Sequence, residues 1–269
     1  MAHIRESNVK YDRWKDFRSA VNKMIDNGDY ERLVRIHADQ VRDPDGFLRS
    51  KHRMHGAMYG PVGYRRFLPW HRAYLIAFER ELRKIDKTLS LPYWDWDNDQ
   101  GRLVGFHDFL GQSTGRELGL APRVEPTNPN QRRWFSSDAL TEFFETFTGD
   151  YFLFSRTLET GTRTSAGDIV GQHGAGHMWI GGDMANTRIS PNDVVFWLHH
   201  AAIDRVWAKW QTNNPGERAF ISGQEAQLDP WDNEFTVDNV DNIAQLGDDS
   251  YSYEDPVRPA ASIGQPNVV

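Results

Sequence analysis

Cysteine is absent from all 269 residues. Its absence excludes disulfides, thiolate metal sites and cysteine nucleophiles. Any transition-metal site in this chain must therefore be assembled from histidine and carboxylate. Long apolar runs are missing too, and nothing approaches the roughly 18 residues a membrane helix needs. A basic excess is also lacking: Asp and Glu outnumber Lys and Arg by 38 to 31, leaving a net charge of -7. This removes the electrostatic footprint of a nucleic-acid or anionic-membrane binder. The opening residues, Met1-Ala2-His3-Ile4-Arg5-Glu6, lack the apolar core of a signal peptide. The expectation is a protein that stays in the cytoplasm, is exported by a separate partner, or has lost a leader.

Aromatic residues, by contrast, are plentiful at 13% with 10 Trp, which for any single tryptophan means core packing first. The length suits one large domain with a sizeable core. No internal repeat or linker divides the chain, so one domain is expected over 1–269, with extended segments at 1–10 and 254–269. Trp14, Phe17, Val21 and Ile25 fall at helical spacing within 11–27, a run that Asn27-Gly28 ends. Leu33, Val34, Ile36 and His37 repeat the pattern over 30–41. Asp43-Pro44-Asp45-Gly46, and the glycines and proline between Gly56 and Gly63, read as loop. A long helix is predicted from Pro69 to about Ile85. Residues 101–130 read as irregular surface, and helical patterning returns over 138–146, 168–178 and, most clearly, 192–211. Beyond Asn213 the chain turns acidic and loop-like. The class is mainly α, with a helical bundle at the centre and long loops around it.

Ten histidines carry the chemistry, at 3, 37, 52, 55, 71, 107, 173, 177, 199 and 200. A lone histidine on an apolar helix face is more often a hydrogen-bonded core residue than a ligand. Here the pattern argues otherwise. His173 and His177 are spaced i, i+4, so both lie on one helix face and can hold one metal. Gly174-Ala175-Gly176 between them lacks the Glu of H-E-x-x-H, which excludes that class of zinc protease. His199 and His200 are adjacent, about 100° apart on a helix, so at most one of them faces the same metal as the 173/177 pair. In the N-terminal half His37 and His71 sit among apolar helix positions, and His52 and His55 lie between them. Two imidazole clusters follow. Copper suits such clusters well, and spacing alone leaves zinc and non-haem iron open.

Longer motifs narrow the choice. Phe67-Leu68-Pro69-Trp70-His71-Arg72 is followed by Leu91-Pro92-Tyr93-Trp94-Asp95-Trp96. The second half carries His173-x-x-x-His177, Trp179-Ile180-Gly181-Gly182, then Ser190-Pro191-Asn192-Asp193-Val194-Val195-Phe196-Trp197-Leu198-His199-His200 with Asp204 and Trp207. Together, and with Tyr251-x-Tyr253 near the end, these resemble the two copper-binding halves of the tyrosinase family of type-3 copper proteins. That family spans tyrosinases, catechol oxidases, o-aminophenol oxidases and molluscan haemocyanin domains. The resemblance implies a mainly α domain, a central four-helix bundle holding a dicopper site, with long loops and few short strands. It implies two copper ions with O2 as co-substrate, a small phenolic substrate converted to an o-quinone-type product, and a partner that delivers copper. The alternative within the family is a haemocyanin-like reversible O2 carrier. By resemblance the first copper takes His37, His71 and one loop histidine, and the second takes His173, His177 and His200. His55, followed by Gly56 as the loop ligand often is, is favoured over His52. Sixteen positions separate it from His71, more than in many relatives, which implies an insertion.

Other positions are read against the family pattern. Asp204, one turn after His200, is either the acceptor that fixes a ligand imidazole's tautomer or an ordinary helix-surface carboxylate. Arg72 reads as an ion-pair partner. In tyrosinases an upstream acid, with an Asn after the first histidine of the second-copper pair, holds the water that deprotonates a phenol. Glu159 is the candidate acid here, fourteen positions before His173, and Gly174 stands where Asn would be. That departure weighs against efficient phenol hydroxylation and leaves oxidation of o-diphenols or o-aminophenols intact. Met178, apolar where a polar residue sometimes steers substrate, argues against carboxylated phenols. Thr187 falls where relatives place a residue gating the pocket. Without cysteine, the Cys–His thioether of some relatives cannot form.

Overall fold

Helix α1 (Trp14–Asp26) turns Phe17, Ala20, Val21 and Met24 inward. Gly28, with φ +84°, makes the reversal into α2 (Asp29–Val41), which buries Leu33, Val34 and His37. Both helices follow from their apolar spacing. The computed structural model describes residues 3–41, 54–96, 149–163, 169–231 and 234–254. His52, the surface predicted for 101–130 and the helix predicted over 138–146 lie outside the described residues.

The glycine-rich stretch after His55 is helical, contrary to its reading as loop. It forms α3 (Gly56–Tyr59) and the start of α4 (Pro61–Ile85). Two of its glycines serve close packing. A Cβ on Gly56 would lie 2.0 Å from the Tyr64 ring, and one on Gly63 would lie 2.4 Å from the His55 carbonyl oxygen. Helix α4 therefore begins well before Pro69. Pro61 occupies its first turn, where a missing N–H costs nothing. Pro69 falls inside the helix and cannot donate to the Arg65 carbonyl. The Tyr151 hydroxyl donates to that oxygen instead, at 3.0 Å.

Helix α5 (Tyr151–Thr160) has no counterpart in the sequence-based reading, although its ends are marked. Asp150 accepts from the Leu153 N–H at 3.0 Å, an N-cap, and Gly161 ends the helix at φ +81°. Strands β2 (Thr162–Arg163) and β3 (Ile169–Val170) pair antiparallel. Helix α6 (Gln172–Ile180) consequently starts later than the predicted 168. Helix α7 (Val195–Asn213) follows a 3-10 turn at Ser190–Asn192. No helix among the described residues is long and apolar enough to cross a membrane.

Helix α4 runs through the centre, buried continuously from Arg66 to Glu79, and packs against α1, α3, α5 and α7. Helix α6 packs on α5 and α7. The Tyr74 hydroxyl donates to the Leu33 carbonyl at 2.7 Å and binds α4 to α2. Trp197 Nε1 donates to the Tyr30 hydroxyl at 3.1 Å and binds α7 to α2. Helices α2, α4, α6 and α7 are the four-helix bundle expected. At its far side β1 (His3–Arg5) and β4 (Tyr251–Tyr253) pair in parallel, which carries Arg5 into the core. There its guanidinium meets Glu79 at 2.7 Å and lies 3.6 Å over the Tyr251 ring.

Candidate metal centre

The bundle brings six histidines into two triads. His37 from α2, His55 at the N-terminus of α3 and His71 from α4 form the first. His173 and His177 from α6 and His200 from α7 form the second. In each, one ring nitrogen per residue lies within 4.8 Å of the others. The triads face one another: the His71 and His200 rings stack at 4.3 Å and 12°, and His55 and His173 stack at 5.8 Å.

The hydrogen bonds of these rings select one tautomer. Nδ1 of His71 points at the Phe67 carbonyl oxygen at 2.8 Å, and that of His177 at the Met184 carbonyl oxygen at 2.7 Å. His173 Nδ1 faces the Glu159 carbonyl oxygen at 3.3 Å, and His55 Nδ1 faces the Glu159 carboxylate at 3.1 Å. An oxygen there only accepts, so the proton sits on Nδ1 and Nε2 keeps its lone pair. Nε2 of His37, His55, His71 and His173 is buried with no hydrogen-bond partner. His177 Nε2 and His200 Nε2 are 3.2 Å apart. Burial, followed by repulsion from neighbouring imidazoles, holds His37, His71, His173 and His200 well below the usual histidine range. Burial lowers His177 to about 4. These five rings are held neutral, as metal ligation requires.

Without a ligand this arrangement is costly. Each unpartnered buried nitrogen costs about 1–3 kcal/mol, so the four Nε2 atoms together cost about 4–12 kcal/mol. That rivals the about 5–15 kcal/mol stability of a whole domain. Metal ions that accept the lone pairs remove the cost. Two adjacent all-imidazole triads fit a pair of copper ions, for which neutral imidazole is a strong donor.

Around the triads lies a cavity of about 330 Å³, lined by Met58, Glu159, Gly174, Met178, Met184 and Thr187 as well as histidines. Four residues singled out from the sequence thus meet at the centre. Gly174 lines the cavity, and an added Cβ there would meet only the Glu159 carbonyl oxygen, at 3.4 Å. Met178 is on the rim, 69% exposed. Glu159, the candidate acid of the sequence, lines the cavity and also reaches the first triad. Its carboxylate is engaged by His55 and by the backbone N–H groups of Gly56 at 3.0 Å and Ala57 at 3.4 Å.

Asp204 bonds no imidazole and is only 3% exposed, which corrects both of its readings, as an acceptor for a ligand histidine and as a helix-surface carboxylate. Arg72 Nε donates to one of its oxygens at 2.6 Å. The other accepts from Arg5 at 3.2 Å and from Tyr251 and Tyr253, each at 2.6 Å. Burial alone would raise its pKa, but Arg72 and Arg5 outweigh that and hold it below the usual carboxylate range. Arg72 is the ion-pair partner expected, and its guanidinium also lies 3.5 Å over the Trp207 ring. Asp204 therefore ties β1, α4, α7 and β4 together behind the metal centre.

Sequence reasoning missed Met58 and Met184 as lining residues, and for His199, expected beside the ligands or lining the site, it did not give the partner. His199 Nε2 donates to the His173 carbonyl oxygen at 3.0 Å, and its ring stacks on His173 and packs against Trp94 and Trp96. The available signal was the Gly-Ala-Gly between His173 and His177. A Cβ on Gly176 would lie 2.1 Å from the His199 ring, so glycine there is what lets α6 approach α7.

Known proteins decide between the metals that imidazole accepts. The common central domain of tyrosinase matches residues 27–118 and 121–213, which include all six triad histidines. A tyrosinase of Streptomyces glaucescens is 31% identical over 273 residues, covering 89% of this chain and 95% of its own. One from Streptomyces galbus is 35% identical over 234 residues, covering 76% and 81%. Among solved structures a recombinant latent aurone synthase (polyphenol oxidase) shares the fold at TM-score 0.61 and 21% identity. That match covers 94% of this chain and 58% of the other, so the chain spans little more than half of that protein's length. Matched in sequence across both histidine triads and in fold across the bundle that holds them, this chain belongs to the tyrosinase family of type-3 copper proteins.

Proposed function

We propose that this protein is a copper-dependent phenol oxidase that uses O2 to convert o-diphenols or o-aminophenols, in preference to monophenols, to o-quinone-type products. The observation that carries the reading is the cavity of about 330 Å³ lined by His37 and His55 of one triad and His173 and His177 of the other, since a site that oxidises a ring must admit one beside its metals. His37, His55 and His71 would hold one copper, and His173, His177 and His200 the other. When bound, the pair supplies two-electron exchange with O2. The chain's own groups do the rest. The Nδ1 hydrogen bonds fix four rings in the tautomer that presents Nε2. Phe67 and Phe196, with centroids 4.8 Å from His71 and 4.1 Å from His200, keep water from the back of the ligands.

Substrate preference follows from the lining. No arginine or lysine is among the described residues around the cavity, and three methionines are, which favours uncharged rings over carboxylated ones. Gly174 brings no side-chain amide to hold a water beside Glu159, so proton removal from a monophenol is poorly served. The same reading takes the chain as one dicopper domain and expects a partner that supplies copper. Rates of the copper-loaded protein on tyrosine, a simple phenol, a catechol and an o-aminophenol test it. The catechol or the o-aminophenol should turn over fastest. Tyrosine as the fastest substrate would overturn the preference.

A further inference from the structure

The loop histidine of the first triad raises a positioning problem. His37 and His71 ride on long helices, α2 and α4, that are locked into the core. His55 sits before α3, a single turn of four residues with extended backbone at the histidine itself, φ -110° and ψ 119°. A chain without cysteine has no covalent tether for such a ligand. Yet His55 is only 4% exposed and its Nε2 lies with those of its triad. Something outside the loop holds it.

Glu159, in the last turn of α5 and 3% exposed, is placed to do so. One carboxylate oxygen meets His55 Nδ1 at 3.1 Å and the Ala57 N–H at 3.4 Å, and the other accepts from the Gly56 N–H at 3.0 Å. The residue thus grips the ring and the first two backbone N–H groups of α3 together. A carboxylate at that place satisfies donors that a helix start leaves open. It also keeps the His55 proton on Nδ1, so Nε2 is the donor offered to metal. The packing supports this grip. The glycines at 56 and 63 let α3 and α4 close on each other, and α5 packs against both. Glu159 also carries the carbonyl oxygen that receives His173 Nδ1 at 3.3 Å, so one residue reaches a histidine of each triad, by side chain and by backbone.

We infer that Glu159 is a positioning residue for the first copper, fixing the ring and tautomer of His55 from α5 in place of a covalent tether, and is not the base that serves a monophenol. The inference rests on the dicopper reading above. It is tested by Glu159→Gln and Glu159→Ala, with His55→Ala as the reference, using copper content after dialysis and competition against a chelator. Wild type should hold two coppers per chain. Removing the carboxylate should weaken the first copper about 10–100-fold and leave the second unchanged, as His55→Ala does more severely. Adding Glu159→Gln to His55→Ala should cause no further loss of affinity. Phenol and catechol rates should fall together, in step with copper lost. If Glu159→Gln keeps two coppers at wild-type affinity and loses phenol turnover alone, Glu159 is a base and the inference fails. If both variants bind copper like wild type with all rates intact, it fails as well. The isosteric Gln variant remains decisive if the Ala variant does not fold. A wild-type protein unable to bind a copper pair would instead overturn the dicopper reading itself.

Discussion

Gly176→Ala is a small change that should cost one copper. An added Cβ would lie 2.1 Å from His199 Cε1 and 2.7 Å from both ring nitrogens. His199 cannot step aside: it is fully buried, bonded to the His173 carbonyl, stacked on His173 and packed against two tryptophans. Restoring ordinary carbon contact requires α6 to move from α7 by about 1.4 Å or more. Helix α6 carries His173 and His177 while α7 carries His200, so the second triad is pulled open. Metal–ligand distances tolerate only about 0.2 Å. Overpacking costs about 1–3 kcal/mol, and alanine returns about 1 kcal/mol through helix propensity, so the net loss of stability is about 0–2 kcal/mol. The control is Gly174→Ala on the same helix, whose Cβ meets only a carbonyl oxygen at 3.4 Å. Metal analysis and thermal melting should show one copper in Gly176→Ala despite a modest change in Tm, and two in Gly174→Ala. Two coppers at wild-type affinity in Gly176→Ala would refute the packing argument.

Other outcomes follow from the same geometry. Gly174→Asn, which has room in the cavity, should raise phenol turnover relative to catechol turnover, and an unchanged ratio would remove that role from the position. Asp204→Asn strips the carboxylate from two buried arginines, a loss of about 3–5 kcal/mol, or roughly 10 °C in Tm for a chain of this size. A Tm within a degree or two of wild type would show that the network carries little. For the copper-free protein, His177 is lowered to about 4 when folded against about 6.5 when unfolded. Between those values the unfolded chain binds more protons, so stability is complete above pH 6.5 and falls as pH drops toward 4. His177 alone accounts for at most about 3 kcal/mol of that loss. Urea midpoints at pH 7.5 and 5 should differ in that direction, and equal midpoints would contradict the burial of neutral imidazoles.

What was legible in the sequence was periodic. His37, His173, His177 and His200 sit on helices whose apolar spacing or paired histidines are visible without a structure. His71 was placed on the right helix, although its start was misjudged because Pro69 reads as a first-turn residue when Tyr151 in fact serves the carbonyl it abandons. Gly56 and Gly63 signalled a loop by composition, whereas their function is close approach, which depends on what packs opposite. Asp204 illustrates the same limit. Its position one turn after His200 suggested an imidazole, but the pairing of β1 with β4 brings Arg5 and two tyrosines to it from opposite ends of the chain. The bond between Glu159 and His55 spans 104 positions, and no local pattern reports it.

Catechol oxidation by the protein loaded with copper tests the central claim most directly. Copper content, O2 uptake and quinone absorbance are followed together, with the metal-free protein as the blank. Two coppers per chain, quinone formation only with copper bound, and O2 uptake that balances the quinone formed are expected. Full copper loading with no O2-dependent quinone from either a catechol or an o-aminophenol would contradict the claim that this centre is an oxidase.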